Sequence, residues 1–262
     1  MIEKFNTYHM VTNRPWPTLS SFQAQRFIVS IISILRKKRT KTNVTINLII
    51  IRYLALLWWK NTLTEANKEG LHLNATKKSI KIRIILFISS EILFFSRFFW
   101  AYFHAGTRPN VEIGQIWPPN NVESFNPINV PLLNTIILIS SGFSITWAHH
   151  AILEKNFLKG KNILIITFIL GLYFSVLQKI EYDQAQFCIN DSTYGTIFFI
   201  ATGFHGIHVI IGRTFLIVNY FFLKNMLIRN SHHIGLEIAA WYWHFVDIVW
   251  LGLYLSIYWW GK

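Results

Sequence analysis

Apolar runs of bilayer length dominate this chain and decide what it can fold into. An α-helix rises 1.5 Å per residue and needs about 20 mostly apolar residues to cross about 30 Å of hydrocarbon. Seven stretches approach or exceed that length: 19–35, 44–59, 80–104, 130–153, 163–177, 193–223 and 235–260. Lipid offers the backbone no hydrogen bonds, so each run is expected to form a helix that satisfies its own N–H and C=O groups. The fold class expected is therefore all-α, a polytopic membrane protein with seven transmembrane helices. Composition agrees: 52% of residues are hydrophobic against 14% charged, a poor match to an ordinary soluble domain. The first two runs are short, and each holds an arginine, Arg26 and Arg52. Aromatics close several others, as in "LLWWK" at 56–60 and "YWWGK" at the C-terminus, where indole and phenol rings suit the headgroup layer.

The formal charge of +13 would suggest a nucleic-acid partner in a soluble chain. Here the basic residues fall mostly between apolar runs, which is a topology signal, and no nucleic acid is expected. Lys and Arg concentrate in the N-terminal segment and the loops 60–81, 154–161 and 224–233, which places the N-terminus inside. The conflicting segment is "RKKRTK" at 36–41, which that orientation puts outside. The first twenty residues lack the pattern of a secretory signal, so insertion is expected to use the spans themselves. A lone Cys188 rules out an intramolecular disulfide framework and an all-cysteine metal cluster.

Histidines are the first candidates for chemistry. They occur at 104, as pairs at 149–150 and 232–233, as "HGIH" at 205–208, and at 244. Imidazole ligates haem and copper, and His205 and His208 share a helix face. Hydrogen-bonded packing or lipid contact is the competing reading. A second feature is the stripe Glu237, Trp241, His244 and Asp247 along one helix face. Such a stripe must face protein or water, either as an interhelical hydrogen-bond seam or as a proton or ion path. Glu91 stands apart. It sits near the middle of its run among Phe94, Phe95 and Phe98, with no cation three or four positions away. An ionisable group at that depth is costly and marks a functional site by default.

Several strings are more specific than hydropathy: "WPPN", "PLLNT", "SITWAHH", "YGTIFFIATGFHGIHVIIG" and "AAWYWHFVDIVWLGLYLSIYWWG", preceded by "YHMV", "PWP" and "WWK". Together they resemble the mitochondrial subunit III of cytochrome c oxidase from about residue 8 to 262, most closely from Ile80 onward. The resemblance implies two bundles, helices 1–2 (residues 1–59) and helices 3–7 (residues 80–262), joined by an inner loop at 60–79. A V-shaped cleft between them would hold phospholipids. It further implies a subunit of the mitochondrial inner membrane with no haem or copper of its own. Haem a and copper would lie in partner subunits I and II, which carry electrons from cytochrome c to oxygen and pump protons. The histidine-ligand reading weakens accordingly. By resemblance Glu91 is the family's membrane-embedded carboxylate. Trp58, Trp59, Glu65 and His72 match the lipid-cleft segment near the inner headgroups, with His208 and Trp241 as further contributors. A transporter or ion-conducting protein using Glu91 and the Glu237/His244/Asp247 stripe is the alternative.

Five arginines, at 26, 52, 83, 97 and 213, depart from expectation because a central arginine costs about 2.5–3.5 kcal/mol on insertion scales. Arg97 has three readings. It binds lipid phosphate, or it pairs with an acid on another helix, or its codon, AGA or AGG, is one that many animal mitochondria read as serine. A CGN codon at position 97 would eliminate the third.

Overall fold

The computed structural model describes residues 13–36, 41–67, 74–109, 111, 114–120, 122–226 and 233–262. Within them lie seven helices long and apolar enough to cross a membrane: α1 Trp16–Leu35, α2 Lys41–Asn67, α3 Asn74–Thr107, α4 Val130–Leu153, α5 Phe157–Asp183, α6 Thr193–Lys224 and α7 Ile234–Leu253, the last continued by π-helical turns over Tyr254–Trp260. No strand occurs among the described residues.

Most helices overrun their apolar runs. Much of the loop expected at 60–79 is helical, because α2 continues to Asn67 and α3 begins at Asn74. The reason is that apolar-run counting sees only the hydrocarbon layer, whereas "KNTLTEAN" and "NATKKSIK" contain no proline or glycine to stop a helix there. Helix α5 likewise extends beyond 163–177 in both directions. It starts where the Asn156 side chain accepts the Lys159 N–H at 3.2 Å. Ser192 caps α6 by accepting the Gly195 N–H at 3.1 Å. Pro131 opens α4, at a position where no intrahelical N–H bond is lost.

The chain divides into two compact units, Met1–Ile80 and Lys81–Lys262. In the first, α1 and α2 pair through polar side chains. The Gln23 amide donates to Asn47 Oδ1 at 2.9 Å, and the Asn47 amide donates to Ser30 Oγ at 3.2 Å. The Arg14 guanidinium pairs with Glu65. In the second unit the core is aromatic and apolar and centres on α7. Trp243 is fully buried, donates its indole N–H to Ser141 of α4 at 2.9 Å, and packs against Gly171 of α5 and Gly212 of α6. A Cβ built at either glycine would lie within 3.0 Å of the indole ring, so both positions need glycine for the helices to close around it.

Candidate functional site

Helices α3 and α6 bring together two residues that are 117 positions apart. Glu91 Oε2 lies 3.0 Å from His208 Nε2, both part-buried. Glu91 is held by the middle of α3, and His208 by the second histidine of the "HGIH" turn in α6. Aromatic rings surround the pair. Phe95 meets the imidazole edge-on at 5.1 Å, Tyr242 stacks on it at 6.3 Å, and Phe94 packs against Phe204 at 5.0 Å. These rings lower the local dielectric beside the carboxyl–imidazole contact and so raise its electrostatic value.

The second ring nitrogen fixes the tautomer. His208 Nδ1 lies 2.7 Å from the Phe204 carbonyl, which accepts only, so Nδ1 carries hydrogen. Nε2 is then the ring nitrogen that faces the Glu91 carboxyl, and the contact gives each of two polar groups a partner that lipid could not provide.

The stripe on α7 makes interhelical contacts to two neighbours, α3 and α4. Glu237 accepts from Lys81 Nζ of α3 at 2.7 Å, and the same ammonium lies 5.8 Å from the Trp241 ring centre. Three residues beyond Trp241, His244 Nε2 meets Thr146 Oγ1 of α4 at 3.1 Å, while its Nδ1 faces Asp247 Oδ2 at 3.7 Å. Asp247 fits against α4 only because position 142 is glycine; a Cβ there would overlap Oδ2.

Other expected site residues fall in different places. Trp58 is exposed on α2 and Trp59 half-buried beside it. Glu65 is buried and pairs with Arg14. His72 lies outside the described residues. His205 is spent on the Val246 carbonyl at 3.1 Å, and His104 stacks on Trp100 at 5.1 Å. Among the described residues no group of three or more His, Cys, Asp or Glu side chains is arranged to hold a metal ion. Arg97 is exposed on α3, and the partner that Glu91 takes is His208 instead. Lys81 and Thr146 escaped sequence reasoning because each sits on a helix remote in sequence from its partner; nothing in local spacing points to either.

A family model described as cytochrome c oxidase subunit III matches residues 6–262. This chain belongs to the cytochrome c oxidase subunit III family. The match runs through 18–56, where the sequence by itself shows only hydropathy. Among curated relatives, the cytochrome c oxidase subunit 3 of Rhipicephalus sanguineus is 45% identical over 261 residues, covering 98% of this chain and 99% of that one. Those of Ovis aries and Madoqua guentheri are each 46% identical over 262 residues, the full length of both chains compared. The chain is thus a multi-pass membrane component of the respiratory chain's oxidase, and the transporter reading finds no support in these comparisons.

Proposed function

We propose that this subunit III chain is a noncatalytic core component of the oxidase, located in the mitochondrial inner membrane with its N-terminus on the matrix side. It stabilises subunit I and retains structural phospholipid, while electron transfer from cytochrome c to oxygen and proton pumping run on the haem a and copper of subunits I and II. The carrying observation is the Glu91–His208 pair, an interhelical carboxyl–imidazole contact at mid-span among aromatic rings. Lipid retention is supported within each unit by groups suited to headgroups: Trp58 and Trp59 on α2, and Trp241 with Lys81 where α7 meets α3. An odd number of spans sends the C-terminus to the opposite side of the membrane from the N-terminus.

The test compares purified oxidase carrying the native chain with Glu91→Gln. The native chain is expected to co-purify with the haem- and copper-bearing subunits and with phospholipid detectable by mass spectrometry. The variant should assemble but lose activity during turnover several-fold faster. A chain that purifies alone and supports ion flux in liposomes would overturn the reading.

A further inference from the structure

Outside the Glu91 site, one half of the five-helix unit holds a concentration of buried polar atoms that the chain itself leaves unpaired. Asn134 of α4, 0% exposed, has neither its amide nitrogen nor its oxygen hydrogen-bonded. The Gln178 amide on α5 faces the Tyr258 hydroxyl but outside good hydrogen-bond geometry, and Oε2 of Glu181, which is 1% exposed, has no partner. The other carboxylate oxygen, Oε1, accepts from the Tyr258 hydroxyl at 2.5 Å.

These residues lie at one level. Helices α4 and α5 run antiparallel and are pinned by Ser144 Oγ against Thr167 Oγ1 at 2.7 Å. Gln178 is eleven residues beyond Thr167 and Asn134 ten before Ser144, which leaves them within about 1.5 Å of each other along the helix axes. Gln178 and Glu181 both flank the Tyr258 hydroxyl, which the π-helical turns at the end of α7 deliver to them. Trp250 and Phe198 close over Tyr258, at 5.8 and 5.6 Å between ring centres.

The five atoms have essentially no accessible surface, so neither lipid nor a partner subunit can reach them. A buried polar atom left unpaired keeps its full desolvation penalty, and five at one level of the bundle are too costly without a ligand small enough to be enclosed. The donor set identifies that ligand. Two carboxamide nitrogens donate, while two carboxamide oxygens and a carboxylate oxygen accept; a cation would use only the oxygens, whereas water uses both kinds.

We infer that Asn134, Gln178 and Glu181 line a buried hydration site, closed by Tyr258, in which ordered water bridges the carboxylate to the two carboxamides. Hydroxyl-radical footprinting of the intact oxidase tests this, because radicals generated from bound water oxidise the side chain beside it. Tyr258 and Tyr242 are equally buried at 1% exposure. Tyr258 should be oxidised several-fold more than Tyr242, and the excess should vanish in an Asn134→Leu, Gln178→Leu double variant. High-resolution cryo-electron microscopy of the unaltered complex supplies a second readout that needs no variant: density for water between the three side chains. Equal oxidation of the two tyrosines in the unaltered complex, carboxamides bonded directly to Glu181, or density that responds to exchange of sodium for potassium would each overturn the inference.

Discussion

The two units of this chain solve the same problem by opposite means. In residues 81–262 the largest fully buried side chains are Trp243, Trp250 and a set of tyrosines and phenylalanines, seated against glycines. Among the described residues of 1–80 those buried are Gln23, Ser30, Asn47 and Glu65, while Phe22, Ile28, Ile49 and Tyr53 stand exposed. Two helices cannot enclose a core, and lipid tails provide no hydrophobic drive to hold them together. What keeps a pair in register is then close packing and hydrogen bonds between side chains that lipid cannot solvate. Five helices can enclose a core of rings, and packing against α7 takes over that role.

The largest expected effect breaks the aromatic side of this comparison. Trp243→Ala removes a buried indole, its bond to Ser141 and the surface that Gly171 and Gly212 exist to receive. Large core truncations cost about 3–5 kcal/mol, so subunit III should dissociate from the detergent-purified oxidase at markedly lower temperature. Trp100, 70% exposed, is the control, and Trp100→Ala should leave the dissociation temperature unchanged. Equal effects from the two would show that the unit is not organised around α7.

Next in size is a test of the arginines. Arg26 and Arg52 are exposed on the two-helix unit, and Arg83 and Arg97 are exposed on the larger one. Arg213 is partly enclosed: its Nη1 is buried without a hydrogen-bond partner and its guanidinium sits 5.9 Å from the Phe168 ring centre. Arg213→Ser should favour insertion of α6 by up to about 2.5 kcal/mol in a microsomal insertion assay, with Lys224→Ser at the end of the same helix as the neutral control. If the codons are instead read as serine, peptide masses from the native protein will show serine at 97 and 213 directly. No gain from Arg213→Ser would mean that the guanidinium finds in the membrane a partner worth its desolvation.

These contrasts also explain what could be read from sequence. The seven helices were legible because hydrocarbon thickness imposes a minimum apolar run, and Glu91 was legible because a carboxylate interrupts one. Its partner was not, since spacing rules report neighbours on the same helix and His208 lies on another. Gln178 and Glu181 were hidden by the same counting that found the helices: the apolar run was closed at 177, just where α5 turns polar residues inward. Glu65 likewise pairs with a residue remote in sequence, Arg14, which no spacing rule reports. Polar residues inside spans therefore carry the information that hydropathy discards, and their partners are set by tertiary packing.

The smallest effect sharpens the other side of the comparison. Asn47→Leu removes the acceptor of Gln23 and the donor to Ser30 while keeping bulk and raising helix propensity, so any loss reads the hydrogen bonds alone. Interhelical hydrogen bonds within membranes are worth about 0.6–2 kcal/mol, less than the same change would cost in a dry soluble core, because separated helices find substitute partners. A cysteine pair across α1 and α2 should cross-link several-fold less efficiently in Asn47→Leu, whereas Asn47→Gln should recover part of the loss. On the outward face of α2 the same assay should register no change for Ile49→Leu, because the Ile49 side chain is 63% exposed. Unchanged cross-linking in Asn47→Leu would mean that shape alone aligns α1 with α2, and the two units would then differ in size but not in kind.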